Sequence, residues 1–137
     1  MLSLAGEALL QGGPLYYTIT NPPAPYYAET AQFIWEYTEK YGEEPLDFAA
    51  RAYDATGMCL RGIAVAAQST AELVPTRAEV TRGVRRINNY DGITGRYEFS
   101  RQGDPELVQY YMYQVASLDE ANWDQNPIVA TYEIIPP

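Results

Sequence analysis

The sequence predicts an α/β fold in which a sheet is flanked by about three helices and followed by a C-terminal β-hairpin and a final strand. Three observations carry that prediction. Segments at about 27–41, 47–68 and 76–88 repeat apolar residues at helical spacing. Short runs rich in aromatic and β-branched residues stand before and after them, and Gly/Pro clusters separate the runs. With 137 residues and 47% hydrophobic content, the chain can bury one core and reads as a single unit.

The run Leu15–Ile19 lies between Gly12-Gly13-Pro14 and Asn21-Pro22-Pro23 and reads as a buried strand. From Tyr27 to Tyr41, Glu29, Gln32, Glu36 and Glu39 form one stripe, with Ala31, Ile34, Trp35 and Thr38 on the other side. That is an amphipathic helix stopped by Gly42 and Pro45. The next helix opens near Asp47, whose carboxylate can cap the first turn, and runs to about Gln68. Its charges, Asp47, Arg51, Asp54 and Arg61, cover only a narrow stripe, so it is expected to be covered on most sides. Gly57 and Gly62 each lower helix propensity by about 1 kcal/mol relative to Ala, which suggests that another backbone packs closely there.

Thr76 and Glu79 have the spacing of a capping box. The helix after them buries Val80, Val84 and Ile87 and leaves Arg77, Arg82, Arg85 and Arg86 in water. Those arginines could hold a phosphate, but in an acidic protein they read as a solvated face. Arg96–Ser100 and Leu107–Ala116 read as the arms of a hairpin turning at Gly103. The second arm, with Tyr110, Tyr111, Met112 and Tyr113 in succession, is apolar on both faces and calls for cover on both. Ile128–Ile135 supplies the last strand, stopped by Pro136-Pro137.

Composition excludes several functions. A formal charge of -9 leaves no basic footprint for nucleic acid or an anionic membrane face. With no histidine and Cys59 as the only cysteine, the chain cannot supply a Ser/His/Asp triad, a Cys/His pair, a disulfide or an ordinary zinc site. Catalytic, metal and cofactor sites are therefore expected to be absent. The pairs Glu43-Glu44 and Asp119-Glu120 lack apolar surroundings that would separate their pKa values, and read as surface. Residues 1–10 lack a basic n-region and do not read as a leader. No apolar run approaches the roughly 20 residues of a membrane-spanning helix. On this reading the polypeptide stays inside the cell or is part of something longer.

A strand is followed by a helix ending Tyr41-Gly42-Glu43-Glu44-Pro45, then by a helix opening Asp47-Phe48-Ala49-Ala50 and continuing Ala52-Tyr53-Asp54-Ala55. After one more helix come Asp91-Gly92-Ile93-Thr94-Gly95 and Phe99-Ser100-Arg101-Gln102-Gly103-Asp104. Across roughly Leu4 to Val115 this order resembles the carboxyl-terminal third of type I periplasmic solute-binding proteins of ABC transporters, of the leucine/isoleucine/valine or amide receptor kind. The Pro22-Pro23-Ala24-Pro25 run and the tail after Ser117 depart from the pattern.

The resemblance implies that residues 1–137 form one incomplete lobe of a two-lobed, hinged receptor without catalytic chemistry. The parent would work in the periplasm or outside the cytoplasm, associated with a membrane ABC permease. It would bind a small solute such as a branched-chain amino acid or an amide. Phe48 matches an aromatic that touches the solute side chain in leucine-type receptors; the alternative is an ordinary core Phe. Tyr53 lies about 140° further around the helix and is either a second contact or a packed tyrosine, and Asp47 is a cap or a partner for a ligand ammonium. An incomplete fold also implies self-association or strand exchange to hide apolar surface, including the strand around Tyr110–Tyr113. Two other functions stay open: a ligand-sensing regulator of the same fold inside the cell, and a non-binding structural or dimerisation module.

Overall fold

The computed structural model describes residues 12–71, 74–100, 102–117 and 119–135, with Glu120, Trp123 and Asp124 described by their backbone alone. The readings made above for residues 1–10, Arg101, the Glu120 side chain and the Pro136-Pro137 stop lie outside the described residues.

The described residues form five strands: β1 (Tyr16–Ile19), β2 (Tyr90–Gly92), β3 (Gly95–Tyr97), β4 (Val108–Gln114) and β5 (Ile128–Ile134). The helices are α1 (Ala31–Tyr41), α2 (Ala49–Ser69) and α3 (Arg77–Arg85), with short 3-10 turns at Ala24–Tyr26, Ala28–Thr30 and Glu120–Gln125. They divide into two compact units, one drawn from Met1–Asn21 with Val108–Ile134, the other from Pro22–Leu107 with Ile135–Pro137.

The first unit is an antiparallel sheet of order β1-β4-β5. The doubly apolar β4 takes the centre, which gives it a ladder on each side. Tyr111 and Tyr113 are buried, and Tyr17 of β1 stacks on Tyr113 at 5.1 Å between ring centroids. Tyr111 pairs with Ile19 on one side and with Thr131 on the other. The Asn126 side chain ties the loop before β5 to the sheet, accepting from the Ala116 amide at 2.9 Å and donating to the Tyr17 hydroxyl at 3.4 Å.

Two expectations need correction here. The first strand is not buried: a four-residue strand paired on one side only among the described residues, β1 leaves Tyr16 and Tyr17 exposed. The expected hairpin of 96–100 with 107–116 does not form either. Gly103 does adopt a positive φ of 96°, and the turn closes through the Ser100 amide on the Asp104 carbonyl and the Glu106 amide on the Glu98 carbonyl. Pro105 has no amide to extend that ladder, and β4 finds a longer partner in the seven-residue β5.

In the second unit α1 starts at Ala31 rather than Tyr27, because two 3-10 turns come first. The buried Thr30 hydroxyl braces them, bonding to the Ala24 and Tyr27 carbonyls at 2.6 and 2.7 Å. The helix ends at Gly42, which takes φ 77° and donates to the Thr38 carbonyl. Its packed face is Phe33, Ile34, Tyr37 and Thr38, while Ala31 and Trp35 are exposed, so the apolar stripe sits one position away from the expected one. The ring of Phe33 packs against Tyr37 and Tyr53, and Tyr37 against Tyr41.

The buried residues of α2 are Ala50, Asp54, Met58, Gly62 and Ala66. They recur every fourth position and form a single stripe, so the expectation of cover on most sides fails among the described residues. The expectation of a closely packed backbone holds at Gly62, whereas at Gly57 the close neighbour is a side chain. A Cβ on Gly62 would strike Val84 of α3, including its backbone N at 3.1 Å, and one on Gly83 would strike the Gly62 carbonyl. A Cβ on Gly57 would meet the Tyr90 hydroxyl. The capping box of α3 is complete, with the Thr76 amide donating to Glu79 Oε2 at 2.7 Å and the Glu79 amide to Thr76 Oγ1 at 3.3 Å. Donation from the Thr76 amide, and then from its hydroxyl, holds the Glu79 carboxyl below its ordinary range. Ile87 is buried and the four arginines are exposed, as expected.

Candidate functional site

The residues singled out from sequence lie at the opening of α2. Its N-cap is Phe48, not Asp47, and no side chain caps it. Asp47 falls within the preceding turn, in which the Ala49 amide bonds to the Leu46 carbonyl. The α-helical run thus begins at Ala49, slightly later than the expected opening near Asp47, and Phe48 before it already has helical φ/ψ. Phe48 is 72% exposed, so in this chain it is not a core residue. Leu46 beside it is 82% exposed. Tyr53 is 54% exposed and packs one side of its ring on Phe33 at 5.2 Å. No contact joins Phe48 and Tyr53 among the described interactions, which fits their angular separation on the helix.

The best-organised polar cluster of this unit lies one residue further on. Asp54 is 1% exposed. Its Oδ1 accepts from the Ile93 amide at 2.9 Å, and its Oδ2 from the Thr94 amide at 2.9 Å and the Thr94 hydroxyl at 2.6 Å. Thr94 Oγ1 also bonds to the Tyr97 hydroxyl. The carboxylate thus clamps the β2–β3 turn onto α2, with three donors replacing water around the charge; hydrogen bonds to a charged group contribute roughly 1.5–3 kcal/mol each. Gly92 makes the approach possible, since a Cβ there would lie 2.5 Å from Asp54 Cγ. On the next turn up, Arg51 donates through Nε and Nη2 to the Tyr27 hydroxyl at 3.3 and 3.1 Å.

Burial, and after it the neighbouring Asp54 charge, pushes the Tyr90 phenol above its ordinary value. Burial also raises Tyr97, partly offset by its bond to Thr94. Both phenols therefore stay protonated at neutral pH and do not act as bases; Tyr97 is a hydrogen-bond partner of Thr94. The cluster is a structural clamp. Sequence reading placed Asp54 on a charged stripe and missed this. The available signal was its place in the same four-residue repeat as Ala50, Met58, Gly62 and Ala66, where an exposed charge does not belong.

Between α2 and α3 lies an open groove of ≈ 210 Å³ lined in part by Ser69, Glu79, Arg82 and Arg86. The Ser69 hydroxyl is turned back onto the Val65 carbonyl, and Glu79 brings a negative charge into the groove beside the two arginines. Among the described residues no group of three or more Asp, Glu or Cys side chains could hold a metal ion, and no helix is long and apolar enough to cross a membrane.

Comparison with known proteins places this geometry. The family model described as periplasmic binding protein matches residues 1–121. No curated protein matches the chain by sequence. Among solved structures, a leucine-binding protein, LivK, from Thermotoga maritima is 23% identical with a TM-score of 0.58, covering 99% of this chain and 34% of that one. A solute-binding protein of an ABC transporter from R. palustris, in complex with benzoate, is 14% identical with a TM-score of 0.61, over 98% of this chain and 34% of that one. A branched-chain amino acid transporter substrate-binding protein, LivJ, from Streptococcus pneumoniae, in complex with isoleucine, is 22% identical with a TM-score of 0.55, over 88% and 30%. The chain thus spans about a third of the length of the solved structures it matches. The three helices and two small sheets of the described residues are the mixed architecture of part of such a protein. With the family model covering most of its length, the chain belongs to the periplasmic binding protein family.

Proposed function

We propose that this chain is one incomplete lobe, the carboxyl-terminal third, of a hinged solute-binding receptor that captures a small solute and delivers it to an ABC permease. The match of residues 1–121 to the family carries the reading. The work is done outside the cytoplasm and involves holding, with no bond made or broken. The solute is an amphipathic small molecule, a branched-chain amino acid or an amide.

Phe48 is the residue of this chain that touches it. An exposed aromatic at the opening of α2 offers an apolar surface beside the main-chain amides of a helix start. Tyr53, one face of which is held by Phe33, is a second and weaker contact. Asp47 faces the ammonium end of the solute. Calorimetry of the full-length receptor against amino acids and amides tests this: binding of one class, weakened about tenfold or more by Phe48→Ala, is expected. Silence across the whole panel, or affinity unchanged by that substitution, rejects the reading or the site respectively.

On its own the chain self-associates. Leu60 and Ile63 are exposed on α2, and Val129, Tyr132 and Ile134 on β5, apolar side chains that association would take out of water. In the strand around Tyr110–Tyr113, Tyr111 and Tyr113 are buried but Tyr110 and Met112 are only half-buried, so the face that carries the latter pair is part of the surface to be hidden.

A further inference from the structure

The sheet of the first unit has two edges, and they are unlike. An edge strand presents a row of unpaired main-chain groups that can template another strand, and proteins blunt it with shortness, lysine, proline or bulges. The edge at β1 is blunted by its length of four residues. The edge at β5 is not: seven residues, IVATYEI, contain no lysine and no proline and carry one charge, Glu133. The only irregularity in its pairing with β4 lies at one end, where Tyr113 meets Ile128. Among the described residues nothing pairs with its outer side. Val129, Tyr132 and Ile134 remain 46%, 49% and 49% exposed.

The sequence of β5 fits a second copy of itself. Antiparallel pairing centred on Thr131 aligns all seven residues, with Ile128 opposite Ile134, Val129 opposite Glu133, Ala130 opposite Tyr132 and Thr131 opposite its own counterpart. Apolar pairs stand at both ends and a Thr–Thr pair, a favourable cross-strand contact, stands on the axis. The single charge meets an apolar residue, never itself. Moving the centre to Glu133 would set like charges face to face and shorten the ladder. Symmetric self-pairing of this kind closes after two copies.

We propose that β5 is a homotypic edge, through which two copies of this chain join their three-stranded sheets about Thr131. This rests on the self-association reading above and assigns it a surface. Because each copy carries a formal charge of -9, the pairing strengthens as salt screens the mutual repulsion.

Light scattering on the whole chain is expected to give a doubled mass at high concentration, more readily at higher salt. Thr131→Lys and Thr131→Glu each put like charges across the axis and give the single-chain mass with unchanged far-UV circular dichroism; mixing the two variants restores the doubled mass. Hydrogen exchange on the unmodified chain gives a readout that needs no variant, with protection of the Val129–Glu133 amides rising with concentration. Variants that stay associated, or β5 amides whose exchange ignores concentration, overturn the β5 proposal while leaving self-association in place. An unmodified chain that remains single at every concentration overturns both, and leaves the edge to a strand of a longer receptor.

Discussion

The two sides of α2 are built to different standards. One stripe, Ala50, Asp54, Met58, Gly62 and Ala66, is buried, carries the Asp54 clamp and meets α3 at a glycine-to-glycine contact. The opposite side leaves Tyr53, Leu60 and Ile63 in water and Cys59 exposed. Hydrophobicity does not separate them, for the exposed side holds the larger apolar residues. What separates them is fit. The buried stripe uses small residues and a satisfied charge so that backbones can approach, whereas the other face offers bulk that, apart from Tyr53 on Phe33, is left largely exposed among the described residues. A helix with a finished side and a bare side accords with the proposal that this chain is one part of a larger receptor.

Substitutions along the helix break or sharpen this contrast. The largest effect is expected at Asp54→Ala, which leaves the Ile93 and Thr94 amides and the Thr94 hydroxyl without their acceptor. At about 1–3 kcal/mol for each unsatisfied buried group, the loss is on the order of 3 kcal/mol or more, read as a lower denaturant midpoint. A midpoint within error of the parent chain would show that the clamp is idle.

Gly62→Val comes next. It gains up to about 1 kcal/mol by removing a glycine from a helix, but the obstacle is the Val84 backbone as well as its side chain, and overpacking typically costs about 1–3 kcal/mol. Packing wins, and a net loss of about 1–2 kcal/mol is expected from the same measurement, by the difference of those two effects. The same change at Gly57 meets only the movable Tyr90 hydroxyl end and serves as the milder control. The smallest effect is expected on the bare face, where Leu60→Gln should alter the stability of the chain by no more than about 0.5 kcal/mol. A loss as large as that at Gly62 would mean that this face is covered after all.

Much of the local structure was legible in the residues. The Thr76/Glu79 box, the Gly42 stop, the Gly103 turn and the exposed arginines of α3 each depend on a few neighbours in sequence, and each is present. The glycine contacts were legible too, because a glycine inside a helix asks for a spatial reason. Partners distant along the chain were not. A strand's alternation says which faces are apolar without saying which edge meets which, so β4 was assigned the nearest candidate and instead joined β1 and β5. Asp54 was misread for a related cause: its acceptors' partners, Ile93 and Thr94, are about forty positions away.

By itself, then, the sequence determined the element types, their caps and turns, and the ordered motifs that mark the family, since these follow from short-range sterics and hydrogen bonding. Tertiary structure alone decided the strand order, the burial of Asp54, the exposure of Phe48 and the open edge at β5. These depend on which surfaces meet after the chain has closed long loops, and hydrophobic association, being non-directional, does not write that choice into any local stretch of residues.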